Sequence, residues 1–175
     1  MILGQRVANL AAGEADIAIR GGTPGSDALI GRKICEVPWA VFASKGYTEK
    51  YGRPASVSAL GTHPIIELVD EIKKLPAAKW LRANAPNSRV AARCGNIPSA
   101  HLAVKSGAGI AALPYVYAAS DHDLVCLTGP IPELNYPMYL LVHKDMRKVR
   151  RVSAFFDFSS RELKTVLLSG NMRAR

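Results

Sequence analysis

Two short loops in this sequence combine residue types that suit the binding of a small molecule. The first is Arg20-Gly21-Gly22-Thr23, in which the glycines let a ligand approach the backbone closely and Thr23 offers a hydroxyl. The second is Cys94-Gly95-Asn96-Ile97-Pro98-Ser99, which precedes a predicted helix whose free N–H groups and positive dipole end attract an anion. A plain turn at the glycines and a simple helix cap at Asn96 explain the same residues, so the residue types alone leave both interpretations open.

Other reactive side chains give weaker indications of chemistry. The histidines lack metal-ligand spacing; they are His63, His101, His122 and His143. The cysteines are odd in number and contain no CxxC pair; they are Cys35, Cys94 and Cys126. No nucleophile elbow and no paired acid and base can be read from the sequence. We therefore predict no catalytic residue, no metal and no cofactor, and three reduced, mostly buried thiols.

Composition limits the class of protein. The chain has 175 residues, 49% of them hydrophobic and 21% charged, so it is neither disordered nor fibrous and holds one domain or two small lobes. No run reaches the ~20 apolar residues of a membrane span, and the opening residues do not resemble a secretory signal, which predicts a cytoplasmic protein without membrane contact. The net charge is +9 and is concentrated after residue 143. Such a basic tail suits nucleic acid, anionic lipid or an acidic partner, but the solvated start of a helix explains it more simply.

Strand and helix patterns alternate along the chain. Apolar runs bounded by Gly and Pro predict strands over residues 16–20, 37–43, 65–69, 90–92, 110–113, 124–127 and 138–143. Helical spacing predicts helices over residues 3–10, 47–51, 77–83 and 149–168, and a further helix that Asn96 or Ser99 caps and that runs through Lys105. This alternation predicts an α/β fold with a mostly parallel sheet and helices on its faces.

Blocks of sequence spread over roughly residues 10 to 168 carry a family resemblance. They read LAAGEADIAIR from Leu10, LIGRKI from Leu29, VFAS from Val41, Tyr47 with GRP from Gly52, Leu60 with HP from His63, AAKWL from Ala77, AVKSGAGIAALP from Ala103, YLLVHKD from Tyr139 and RVSAFFDF from Arg151. Each block is weak by itself, but their order is specific. Together they resemble the effector-binding, or substrate-binding, domain of LysR-type transcriptional regulators.

The resemblance implies a two-lobed fold like that of type II periplasmic binding proteins, with the first lobe incomplete. Residues 1–38 and 147–175 are then expected to form this partial lobe I, and residues 39–146 lobe II. It also implies a non-enzymatic sensor whose small-molecule effector, an organic anion by the charge of the loops, lies in the cleft between the lobes. The positions expected to bind the effector are Arg20, Gly21, Gly22, Thr23, Ser44, Gly95, Asn96 and Ile97.

The sequence departs from the family pattern at its start. The winged helix-turn-helix, the linker helix and the first strand and helix of lobe I are not found before Gly13, so we expect no direct DNA contact from these 175 residues. The strand over residues 16–20 is then expected to present an open edge, which predicts a homo-oligomer. The alternative is a free-standing ligand-binding or interaction module that associates with an intact regulator.

Overall fold

The computed structural model describes residues 9–172, with side chains up to residue 164. The strands of these residues are β1 (Ile17–Gly21), β2 (Leu29–Ser44), β3 (Ile65–Leu68), β4 (Val90–Cys94), β5 (Ala111–Pro114), β6 (Leu124–Cys126) and β7 (Ile131–His143). The helices are α1 (Lys45–Tyr51), α2 (Pro76–Asn84), α3 (Ile97–Lys105), α4 (Tyr115–Ala119) and α5 (Arg150–Met172). Three 3-10 helices, Val57–Thr62, Asp70–Lys74 and Met146–Lys148, complete the elements of the described residues. Among residues 9–172, no helix combines the length and the apolar content that crossing a bilayer requires.

The chain divides into two compact units. The first unit contains Met1–Val37 and Tyr136–Arg175, and the second contains Pro38–Asn135. The chain passes between them within two long strands, β2 and β7. This division places the second crossing earlier than the predicted lobe boundary at 146/147, because residues 138–142 of β7 pair with β1 in the first unit.

The first unit is built on β1, β7 and α5. β1 pairs antiparallel with β7, from Ile17 opposite Val142 to Gly21 opposite Met138. The side of this pair that faces α5 is apolar, and the buried cluster there consists of Ile34, Leu140, Val142, Val152 and Phe156. Burying one such side chain contributes about 1.5–3 kcal/mol, so this cluster docks the helix predicted from its apolar spacing.

Basic residues around α5 pack on the core of the first unit. The guanidinium groups of Arg147 and Arg32 lie 4.9 Å and 5.6 Å from the centre of the Phe156 ring. Arg147 also donates to the Asp157 carboxylate at 2.7 Å, and Arg32 donates to Ser160 Oγ at 2.6 Å. Part of the basic charge before the terminal helix is therefore structural.

The second unit surrounds the later half of β2. Residues 39–44 are all buried, and β5 and β6 pair with them antiparallel. A separate parallel pair, β3 with β4, is joined to β5 by one bridge between Ile65 and Ile110. α3 packs against β3, β4 and β5, so the second loop, Cys94–Ser99, connects two elements of one packed layer.

Two expectations about the strands need correction. The sheet is not mostly parallel, because β1, β5 and β6 each lie antiparallel to a long crossing strand, whereas β3 pairs in parallel with β4 and through the Ile65 bridge. β2 also begins at Leu29, eight residues before the predicted 37. The first half of β2 is partly exposed, so it contains no continuous apolar run from which a strand would be predicted.

The predicted opening helix, residues 3–10, lies almost wholly outside the described residues.

Candidate functional site

The first loop, Arg20–Thr23, leaves the sheet at the end of β1. Gly21 is opposite Met138, and the Gly22 N–H donates to the Pro137 carbonyl at 2.9 Å. The backbone then turns through Gly22, whose φ of +88° falls in the region that favours glycine. Arg20 is half-buried and forms no ion pair with the described residues, whereas Thr23 is exposed. The loop therefore offers a guanidinium, a hydroxyl and accessible backbone in one short stretch.

The glycines of the first loop lie against Tyr136. A Cβ on Gly21 would be 2.2 Å from the Tyr136 ring carbon Cε1, and a Cβ on Gly22 would be 2.9 Å from its Oη. Glycine is required at both positions because the half-buried aromatic ring occupies that space. Tyr136 could not be predicted as part of the loop from the sequence, because the pairing of β1 with β7 is what brings it there.

The second loop caps α3 through Asn96. The Asn96 Oδ1 accepts from the Ser99 N–H at 2.8 Å, in the geometry of a helix N-cap. Pro98 has no N–H, and the Ala100 N–H donates to the Asn96 carbonyl. Among the described residues, the first turn of α3 therefore has one N–H group without an acceptor, that of Ile97, fewer than the four free donors typical of a helix start.

Asp70 lies beside the second loop. The Val69 N–H donates to the Cys94 carbonyl at 3.0 Å, which holds the ends of the parallel strands β3 and β4 together. A Cβ on Gly95 would be 2.6 Å from the Asp70 Oδ2, so the missing side chain of Gly95 makes room for this carboxylate. Asp70 has a φ of 54° and is the one non-glycine residue with positive φ among the described residues. Asp70 was not predicted from the sequence, in which it begins a polar stretch after a strand together with Glu71.

Ser44 does not lie with the second loop. Its Oγ accepts from the Tyr47 N–H at 3.1 Å and caps α1, and a Cβ on Gly107 would be 3.5 Å from the same oxygen. Gly107 follows the C-terminal end of α3, whereas Asn96 begins that helix, and nine helical residues span about 13 Å. Within the second unit the structure thus brings together Gly95, Asn96 and Ile97, and leaves Ser44 at the opposite end of α3.

The C-terminal half of α3 is held by a charged cluster around Asp121. His101 Nε2 lies 2.7 Å from the Asp121 Oδ2, and Lys105 Nζ lies 3.0 Å from the same oxygen. Hydrogen bonds from the Asp123 backbone N–H, from His101 and from Lys105 keep the pKa of Asp121 well below its ordinary range. This cluster fixes the helix whose other end forms the second loop.

The histidines and cysteines take structural positions. His63 Nδ1 lies 2.8 Å from the Tyr47 Oη in the interior of the second unit, where burial lowers the pKa of His63. Burial also raises the pKa of all three thiols, so each is protonated at neutral pH; these are Cys35, Cys94 and Cys126. In the part of the chain that the structure describes, no three His, Cys, Asp or Glu residues are grouped as metal ligands.

Comparison with solved structures identifies the class of fold. The regulatory domain of CrgA, a LysR-type transcriptional regulator from Neisseria meningitidis, superposes with a TM-score of 0.75 at 22% identity, over 91% of this chain and 81% of that domain. Full-length AphB, a virulence activator from Vibrio cholerae, gives a TM-score of 0.70 at 21% identity, over 92% of this chain and 56% of that protein. The chain has the type II periplasmic-binding-protein-like fold of these regulatory domains.

The sequence itself settles the family. Residues 3–164 match the family described as LysR substrate binding domain, and the chain belongs to that family. An HTH-type transcriptional regulator from Xanthomonas campestris pv. campestris strain 8004 is 38% identical over 68 residues. That match spans 39% of this chain and 20% of the regulator's length. The resemblance read from the sequence blocks is confirmed.

Proposed function

We propose that this chain is the effector-sensing part of a LysR-type transcriptional regulator and that the two loops are its effector-binding segments. Membership of the substrate-binding family is the observation that carries the proposal. The first loop contributes Arg20, Gly21, Gly22 and Thr23, and the second contributes Gly95, Asn96 and Ile97. Sensing requires that the effector bind two arrangements of the protein with different affinity, because equal affinity shifts no population. This role is non-enzymatic and cytoplasmic.

The charges beside the loops support a particular class of effector. Arg20 is a half-buried cation without an ion pair among the described residues, which favours an organic anion. Asp70 adds a carboxylate beside Gly95, where a hydrogen-bond donor on the ligand finds an acceptor. We therefore propose an organic acid that also carries a hydroxyl or an amino group.

A thermal-shift panel of small hydroxy, amino and aromatic acids tests the proposal. A ligand at one hundred times its Kd stabilises the folded protein by about 2.7 kcal/mol, so a true effector raises the melting temperature measurably. Asn96→Ala is expected to diminish the ligand-induced shift relative to the variant's own baseline. Asn84→Ala is the matched control, because Asn84 donates to the Trp80 carbonyl on α2 and belongs to neither loop. If a ligand that stabilises the wild type raises the melting temperature of Asn96→Ala by the same amount, the proposed role of the second loop is contradicted.

We also propose that the chain forms a homo-oligomer. Among the described residues, β1 has β7 as its neighbour on one side and no strand on the other, and Ile19 within it is 51% exposed. Open strand edges pair readily with further strands. Sedimentation equilibrium is expected to show a dimer that Ile19→Lys weakens, and a monomer at high protein concentration contradicts this proposal.

A further inference from the structure

A cavity of about 480 Å³ lies within the second unit, between α2 and the strands beneath it. Small-molecule sites have volumes of roughly 300–1,000 Å³, so this space suits a ligand of modest size. Its lining comes from β3, α2, β5 and the 3-10 helix Asp70–Lys74, and none of the residues predicted to bind the effector belongs to it. The cavity is therefore a feature apart from the two loops.

The cavity arises where two strands separate beneath a helix rich in small residues. β3 and β5 share one bridge, in which the Ile66 N–H donates to the Ile110 carbonyl at 2.8 Å and the Ile110 N–H donates to the Pro64 carbonyl at 2.9 Å. α2 lies over the continuation of both strands. The side chains facing the space there include Ala78 and Ala112, which are too small to fill it.

The deep wall of the cavity is apolar and its rim is basic. Ile66, Leu68 and Leu81 are buried side chains of the wall. Lys73 and Lys79 on the rim are exposed, and neither forms an ion pair with the described residues.

The acidic side chain of the lining is already neutralised. Glu67 is engaged by Arg93, whose Nε lies 3.0 Å from its carboxylate, and by Arg82 at 3.9 Å. Among the described residues, Lys73 and Lys79 therefore leave the rim with positive charge that no ion pair engages.

We propose that this cavity binds a small amphipathic carboxylate, a medium-chain fatty acid being the simplest example. The hydrocarbon chain lies against Leu68 and Leu81, where its burial is favourable, and the carboxylate faces Lys73 and Lys79. Both halves of such a ligand match the surface that receives them. This second site goes beyond the proposed effector site and does not depend on it.

The test uses sodium octanoate as the probe, below its micelle concentration, with calorimetry for the affinity and amide chemical shifts for the location. We expect the shifts to cluster on β3, α2 and Ala112, and octanoate to bind at least tenfold more tightly than octylammonium, which carries the same chain with the opposite charge. Binding of octylammonium as tight as that of octanoate overturns the proposal. Shifts confined to Gly21, Gly22 or Gly95 also overturn it, while leaving the proposed effector site intact.

Matched double variants distinguish the effect of the two rim lysines on binding from the effect of a change in net charge. Lys73→Gln combined with Lys79→Gln is expected to weaken octanoate binding about tenfold. The control, Lys74→Gln with Lys50→Gln, removes the same charge from positions outside the cavity and is expected to change the affinity less than twofold. Equal weakening by both double variants overturns the proposal. Ala78→Leu fills the space and is expected to abolish binding; if it fails to fold, the lysine variants decide the matter.

Discussion

The first loop packs against an aromatic ring, whereas the second packs against a carboxylate. In the first unit a side chain at Gly21 would collide with the Tyr136 ring, and in the second unit a side chain at Gly95 would collide with Asp70. A ring that packs on a sheet resists displacement, but an exposed carboxylate at the end of a flexible side chain rotates away. The same residue type, glycine, is therefore a rigid requirement in one loop and a lenient one in the other.

The largest expected effect is on the first loop. Gly21→Ala is expected to lower the free energy of unfolding by about 2 to 3 kcal/mol, because the Tyr136 ring must move to admit the methyl group. Gly95→Ala is expected to lower it by less than about 1 kcal/mol, since Asp70 gives way. Denaturant unfolding of both variants measures the difference, and Tyr136→Ala is expected to restore part of the loss in Gly21→Ala. Equal destabilisation by the two glycine variants would remove the contrast between the loops.

The next effect concerns the cluster that anchors α3 behind the second loop. Asp121→Asn is expected to lower the free energy of unfolding by about 2 kcal/mol at pH 7, because hydrogen bonds to a charged group are lost. The pKa of Asp121 is lower in the folded protein than its ordinary value near 4, so its contribution is complete above pH ~5 and is lost as the pH falls through the folded value. The difference in the free energy of unfolding between the wild type and Asp121→Asn is therefore expected to become smaller as the pH falls below ~5.

Asp123→Asn serves as the control for the anchoring cluster. The Asp123 carboxylate also pairs with Lys105, at 2.9 Å, but its side chain is 66% exposed. An exposed ion pair contributes about 0–1 kcal/mol, so this variant is expected to be near wild type. If the difference in the free energy of unfolding between the wild type and Asp121→Asn stays constant from pH 7 to pH 3, the assignment of the stabilising charge to Asp121 is contradicted.

Features of the two loops that depend on neighbouring residues could be predicted from the sequence, whereas contacts that depend on strand pairing could not. A cap at Asn96 or Ser99 and Gly107 after the helix end follow from local rules, and the structure uses Asn96 and ends α3 at Lys105. Tyr136 and Asp70 reach the glycines through strand pairing, between β1 and β7 and between β3 and β4, which local patterns do not specify. The family resemblance pointed to both loops and to Ser44, which caps α1 at the far end of α3 from the second loop.

A smaller effect sharpens the role of the cap in the second loop. Asn96→Ala is expected to lower the free energy of unfolding by about 1 kcal/mol, because the Ser99 N–H loses its acceptor. Asn96→Ser keeps a capping oxygen and is expected to recover most of that stability. If urea unfolding gives Asn96→Ser and Asn96→Ala the same midpoint, the hydrogen bond to Ser99 is not what stabilises α3.

The smallest effect is at the carboxylate of the second loop. Asp70→Gly is expected to raise the free energy of unfolding by about 0.5 kcal/mol, because glycine adopts the φ of 54° without the steric cost, partly offset by its greater freedom in the unfolded chain. Asp70→Ala keeps the strained backbone and is expected to be less stable than wild type. Thermal unfolding of the two variants checks this interpretation. Equal melting temperatures for Asp70→Ala and Asp70→Gly would contradict it.

The amide chemical shifts of the loop glycines, recorded during titration with an effector found in the thermal-shift panel, test the central claim most directly. If the loops are the effector-binding segments, the Gly21, Gly22 and Gly95 signals move as the effector is added and saturate with the Kd measured for that effector. An effector that saturates while all three glycine signals stay in place would contradict the claim.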